Sequence, residues 1–291
     1  MFPTFADAKN DYIFWRIFGR ETYEPILVAF LNDILALDGL CRIVSVTLKP
    51  PKWRPSMPWL RYSSLRAECV DGRDATYAVE AQLLHIEELH RRCIDEIADS
   101  LTDPLAPVQA RPESGDEISL TVSEFELWPG RGGSWVPMLS RRRMREQPRV
   151  GLVFLELPKY GASNDPLSPM DRWAYLIREA GNLLVIPPAL AQTPWAEALV
   201  AARISRFTTS EWDAYISVGM AIQDERGALA LARKEGYRGG LLEGFASYCK
   251  ARAIDLSAEE KRELARLDVE GLKAMINRIK AERGRPPREW S

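Results

Sequence analysis

Ser64-Leu65-Arg66-Ala67-Glu68-Cys69-Val70-Asp71-Gly72-Arg73-Asp74-Ala75-Thr76-Tyr77-Ala78-Val79-Glu80-Ala81-Gln82 reads as two extended segments folded back on each other. Asp71-Gly72 supplies the turn, and apolar and β-branched residues flank it on both sides. Side chains alternate between the faces of a strand, so Ala78, Glu80 and Gln82 share one face and Tyr77, Val79 and Ala81 the other. Arg66 and Glu68 share a face of the preceding strand. A register that brings these faces together gathers charged and amide groups on an otherwise apolar sheet. Buried charge is costly unless it is paired or bound to an ion, so a Glu-x-Gln strand points to a site.

Outward from this hairpin, the chain of 291 residues is long enough for one large or two small domains, and its 46% hydrophobic content supports a sizeable core. The formal net charge of −2 excludes a globally basic nucleic-acid binder, so any DNA contact rests on a local patch. Cys41, Cys69, Cys93 and Cys249 form no C-x-x-C pair, which predicts reduced core thiols, not a disulfide framework or a zinc site. Two histidines, His85 and His90, make a His-based metal site or catalytic triad improbable. No apolar run approaches the roughly 20 residues needed to span a bilayer, and the N-terminus lacks a targeting pattern. The expectation is a cytoplasmic protein without membrane contact.

On the N-terminal side, Asn10 or Asp11 caps a short helix that stops at Gly19, and a second helix runs from about Glu21 to Leu37. Arg42 to Leu48 is strand-like, and Lys49 to Trp59, rich in Pro and Trp, is a loop. On the C-terminal side, Leu83 to Leu101 predicts a helix starting directly after Gln82. Strands are predicted over Ile118 to Leu127, Trp135 to Leu139 and Val150 to Leu157, with a turn at Gly130 to Gly133. From Ser168 onward the pattern is helical: Met170 to Leu184, Trp195 to Phe207, Ser210 to Gln223 and Gly227 to Lys234. A spaced glycine series (Gly236, Gly239, Gly240, Gly244) follows. Ser257 and Glu260 have the spacing of a capping box. The predicted architecture is α/β: a mixed central sheet flanked by helices over residues 1–190, then an all-helical region over 191–291.

Four segments resemble the PD-(D/E)XK nuclease family transposases, also called the recombination-promoting nuclease family. They are Asp11-Tyr12-x-Phe14-x-x-x-Phe18-Gly19, Tyr77-x-Val79-Glu80-x-Gln82, Phe154-Leu155-Glu156-Leu157-Pro158-Lys159, and Glu211-Trp212-x-x-Tyr215 with Asp224, Ala232 and Glu235-Gly236. The resemblance covers nearly the whole chain. It implies a restriction-endonuclease-like core and a metal-dependent DNA endonuclease that hydrolyses phosphodiesters, with Mg²⁺ as cofactor and DNA as partner. Carboxylates on adjacent strands would hold the cation, which polarises the phosphate and activates water. Glu80 is then the metal ligand, Gln82 the residue that positions water or phosphate, and Asp11 an auxiliary carboxylate. Gln carries no charge, so the metal must supply more of the electrostatic stabilisation.

The family's Asp on the first hairpin strand aligns with Arg66. A guanidinium stays protonated and cannot ligate a cation, so the expectation is an ion pair between Arg66 and Glu80 and a degenerate, inactive centre. Glu68, two residues on, is the alternative metal ligand. A shifted register would offer Asp71 or Asp74, although Asp71 suits the turn better. Arg66, Arg92, Arg141, Arg142 and Arg143 are candidate phosphate contacts, the last three in a basic run that extends to Arg149. The bland readings stand beside these. In them Asp11 is solely a helix cap, Glu156 a salt-bridge partner of Lys159 or an arginine, and His85 and His90 packing and surface residues. Two other function classes remain: a non-catalytic DNA-binding or protein-interaction module, and a homo-oligomer built on the helical C-terminal part.

Overall fold

The computed structural model describes residues 3–50, 64–85, 112–127, 135–139, 150–160 and 168–283. In chain order the helices are α1 (Asp11–Phe18), α2 (Glu24–Ile34), α3 (Pro169–Glu179), α4 (Trp195–Ala201), α5 (Thr209–Ala251), α6 (Ala258–Arg266) and α7 (Val269–Arg283). The strands are β1 (Ile43–Lys49), β2 (Ser64–Asp71), β3 (Thr76–Leu84), β4 (Glu117–Ser123), β5 (Trp135–Leu139) and β6 (Val150–Glu156). They form a six-stranded mixed sheet in the order β1-β2-β3-β4-β6-β5. The pairs β1–β2, β2–β3 and β5–β6 are antiparallel, and β3–β4 and β4–β6 are parallel.

The hairpin forms as its sequence dictates. Asp71 is fully buried in the turn. Its Oδ1 accepts from the Arg73 and Ala75 amides at 2.8 and 3.0 Å, and its Oδ2 accepts from Arg73 Nε and Nη2 at 2.9 and 2.6 Å. Asp74 takes the left-handed backbone at φ 63°, which Asp tolerates better than most residues. With Asp71 spent on the turn, the pairing has no slip: Ser64 opposes Gln82, Arg66 opposes Glu80 and Glu68 opposes Ala78. Neither Asp71 nor Asp74 reaches the polar face.

One sheet face carries Leu65, Ala67, Cys69, Tyr77, Val79, Ala81, Leu120, Val122, Val153 and Leu155, all buried in the main core. Helices α1 and α2 pack on it. Asn10 is the α1 cap, accepting from the Tyr12 amide, and Gly19 closes the helix. A Cβ at Gly19 would stand 2.5 Å from the Trp15 ring, so the turn needs glycine there. Asn32 of α2 clips the start of β1, donating to the Ile43 carbonyl at 3.0 Å and accepting from its amide at 2.8 Å. Phe18, Phe30, Trp173 and Trp195 touch ring to ring, with centroids 4.3, 5.4 and 5.9 Å apart. Each such buried ring contributes about 2–3 kcal/mol relative to exposure.

Three sequence expectations change. The strand β3 continues through Leu83 and Leu84, both buried, where a helix start was expected. His85 is not helical either, and from Ile86 on that predicted helix lies outside the described residues, as do the loop over 51–59, the turn over 130–133 and the basic run. The glycine series does not interrupt the helical part: α5 runs unbroken through Gly227, Gly236, Gly239, Gly240 and Gly244. Each glycine costs a helix about 1 kcal/mol, but no proline stands in the segment to end it. Finally, the chain divides into Met1–Ile222 and Gln223–Ser291, a boundary inside α5, not near 190. Trp195, Ala198, Leu199, Ala202 and Val218 all belong to the main core, which draws α4 and the start of α5 into the first unit. In the second unit Phe245 and Cys249 pack with Leu264, Leu272, Met275, Ile276 and Ile279. The Ser257–Glu260 capping box forms there as its spacing predicts.

Candidate active site on the polar face of the sheet

The face of the sheet opposite α1 and α2 carries Arg66 and Glu68 from β2, Glu80 and Gln82 from β3, and Glu117, Ser119 and Thr121 from β4. Strand alternation fixes this set, and the registers align Ala78 with Glu117, Glu80 with Ser119 and Gln82 with Thr121. Arg66, Glu68, Glu80 and Gln82 are all half-buried. Gln82 Nε2 donates to Thr121 Oγ1 at 3.4 Å, which orients the amide across the two strands. Glu80 and Gln82 thus share one face of one strand.

The expected Arg66–Glu80 ion pair does not form. The Arg66 guanidinium instead meets the Glu117 carboxylate at 3.5 Å, two strands away. The β3 residue beside Glu117 is Ala78, whose methyl group leaves room for the long arginine side chain to cross diagonally. Glu68 is also committed, with its carboxylate 3.3 Å from Lys49 Nζ on β1. Among the described residues Glu80 has neither an ion-pair nor a hydrogen-bond partner. Arg92, Arg141, Arg142 and Arg143 lie outside the described residues.

A second cluster stands at the strand end three residues past Gln82. His85 Nε2 lies 2.9 Å from Asp11 Oδ1 of α1, and its Nδ1 lies 2.6 Å from Glu124 Oε1, just after β4. Burial of the ring opposes its charge, but the hydrogen bonds to Asp11 and Glu124 outweigh that and raise its pKa from 6.5 to about 9. The cap reading of Asp11 is therefore corrected: Asn10 caps the helix, and Asp11 faces the histidine. His85 is more than a packing residue. Glu156 adopts the salt-bridge alternative. It is 1% exposed, pairs with Lys159 Nζ, and accepts from the Leu127 amide at 3.0 Å.

These donors do not suit a divalent cation. Hard cations need several oxygen ligands around one point. Among the described residues no group of three or more His, Cys, Asp or Glu side chains is placed to hold a metal ion. Glu80 faces an arginine across the hairpin, Glu68 is drawn toward Lys49, and Asp11 is held by His85.

The family model for the PD-(D/E)XK nuclease family transposases matches residues 8–232. The chain belongs to this family. The match takes in α1, the hairpin, the whole sheet and the first half of α5. No curated protein and no solved structure matches the chain. The mixed sheet with helices on it, followed by a helical C-terminal part, agrees with the nuclease fold of the family. Glu80 and Gln82 on β3 and the N-terminal helix α1 lie within the matched residues. Among the described residues no helix is long and apolar enough to cross a membrane.

Proposed function

We propose that this member of the transposase nuclease family engages DNA in the cytoplasm and that its hydrolytic centre is degenerate. The observation that carries the reading is the position of Arg66. It stands directly across the hairpin from Glu80, where a metal-binding carboxylate is needed, and its guanidinium is held by Glu117. A fixed positive charge at that point repels a divalent ion, and the repulsion grows as the site loses water. The same charge suits a phosphate, as does the neighbouring Lys49. With a net charge of −2, DNA attraction falls to such local cations and to the basic run from Arg141 to Arg149.

The test is a plasmid-nicking assay with Mg²⁺ or Mn²⁺ beside DNA binding in a salt series. The reading expects no cleavage by the native chain, and binding that weakens steeply as salt rises. It expects Arg66→Asp to gain divalent-ion binding, measured by calorimetry. Cleavage by the native chain that Glu80→Ala abolishes would overturn it. That outcome would establish the second reading, an active Mg²⁺-dependent endonuclease with Glu80 and Glu68 as ligands, which the uncommitted carboxylate of Glu80 favours.

A further inference from the structure

The middle of α5 belongs to neither core. Ile222 packs on the main core, and Leu241 on the core of the second unit. Among the described residues, none from Gln223 to Gly240 joins a hydrophobic cluster. A helix in a protein draws most of its stability from packing an apolar face, and Gly227, Gly236, Gly239 and Gly240 lower the propensity of this stretch. Leu231 nevertheless stands 57% exposed on it. Cover over that leucine would support the helix where it has least support of its own.

The charges around Leu231 say what that cover is. Asp224, Gly227, Leu231 and Lys234 follow one another at steps of 3, 4 and 3 residues, and all four are exposed. At about 100° per residue they share one helix face, within an arc of about 80°. Among the described residues the side chains of Asp224 and Lys234 have neither an ion-pair nor a hydrogen-bond partner. The steps read the same from either end of the helix, while the charge reverses from acid to base. Two copies of the stretch laid antiparallel about Leu229 therefore match position for position. Asp224 of each copy stands beside Lys234 of the other, and Leu231 of each stands against Gly227 of the other. A Cβ at Gly227 would meet nothing within 4 Å, so the space over that glycine is open to a leucine side chain. A parallel pair would set Asp224 against Asp224 and Lys234 against Lys234, which like-charge repulsion disfavours. We propose that the 223–237 stretch of α5 is a self-association surface, which pairs antiparallel with the same stretch of a second copy of this chain. The inference does not rest on the proposed function, since it uses neither the sheet nor DNA. The stretch is about 22 Å long, and so short a helix pair buries less than a standard interface, so the dimer forms reversibly at micromolar concentration.

The experiment is sedimentation velocity of the full chain across the micromolar range, without DNA. The average mass of the native chain should rise with concentration from one chain toward two. Asp224→Lys and Lys234→Asp each bring like charges together and should each raise the dissociation constant at least about tenfold. Mixed, these two variants should pair with each other, because each then meets the opposite charge at both positions. The chain carrying both changes should dimerise like the native one. Gly227→Leu separates packing from helix propensity: it makes α5 a better helix but fills the place of the incoming Leu231. It should keep the native helical content, read by circular dichroism, and lose the dimer. A native chain that stays monomeric throughout overturns the proposal. So does a dimer that Asp224→Lys or Gly227→Leu leaves intact, or a mixture of the two charge variants that fails to pair.

Discussion

Replacing Glu211 with Gln should destabilise the first unit by about 2 kcal/mol at neutral pH, and the loss should shrink in acid. Glu211 opens α5, where Thr208 and Glu211 form a reciprocal cap: the Thr208 amide donates to Glu211 Oε2 at 2.8 Å and the Glu211 amide to Thr208 Oγ1 at 3.3 Å. Oε1 accepts from Arg16 Nη1 and, at 2.7 Å, from Arg20 Nη2, both supplied by the α1 region. The Arg16 side chain is 5% exposed, lies over the Phe207 ring and donates through Nε to the Ala201 carbonyl at 2.8 Å. Gln keeps the shape but removes the charge, and its amide nitrogen would face a donor on one side. Arg16 would remain buried without its anion.

The electrostatics set the scale. Partial burial of the Glu211 carboxylate opposes its charge, but the Thr208 amide and the two arginines outweigh this and hold the pKa at about 2, against an ordinary 4.5. That span corresponds to at most about 3 kcal/mol, and the solvent that reaches the pair reduces it to about 2. Because the folded-state value lies below the ordinary one, the contribution is complete at neutral pH. It fades as the pH falls from about 5 toward 2. Urea unfolding followed by tryptophan emission reports this unit, which holds Trp15, Trp173, Trp195 and Trp212. A Glu211→Gln chain within about 0.5 kcal/mol of the native one at pH 7 would refute the argument, as would a gap that widens in acid.

The same assay checks the hairpin turn: Asp71→Ala strands two amides and the Arg73 guanidinium, and should cost about 2–3 kcal/mol. Lys159→Met should cost about 3 kcal/mol by removing the cation that pairs with buried Glu156, and combining it with Glu156→Gln should recover part of the loss. Burial pushes the Cys69 thiol up to about 12, so a thiol reagent at pH 8 should label Cys69 only after the chain unfolds. Labelling of Cys69 in the folded chain would contradict its place in the core.

What could be read from the sequence was local, and what could not was distant. The hairpin register followed from one turn signal and strict alternation, so the shared face of Arg66, Glu68, Glu80 and Gln82 was legible. The capping boxes of Ser168 with Asp171 and Thr208 with Glu211 carry the same spacing signal as Ser257 with Glu260, and a uniform scan for it finds all three. Arg66 was expected to meet its cross-strand neighbour. Its actual partner depends on which strand lies beyond β3, and on Ala78 leaving room between them. His85 was missed because Asp11 is 74 residues before it and Glu124 is 39 after it, so no spacing rule relates the three. The unbroken α5 shows that glycine lowers helix propensity without ending a helix when no proline or cap does so.

The charges around the sheet share a logic. Carboxylates taken partly out of water need a counter-charge, and in a nuclease of this architecture a divalent ion supplies it. Here the chain supplies its own: Lys49 to Glu68, Arg66 to Glu117, and His85 to Asp11 and Glu124. Side-chain cations and a metal compete for the same oxygens, so each internal pair lowers the affinity the site has for an ion. On the proposed reading, metal binding therefore takes more than a ligand opposite Glu80; it also requires removing a cation that now holds a carboxylate. Arg66→Asp does both in one substitution, since it places a carboxylate opposite Glu80 and releases the grip on Glu117. That is why the divalent-ion affinity of Arg66→Asp, more than that of any single change at Glu68 or Asp11, tests the proposed replacement of an ion by the chain's own side-chain cations.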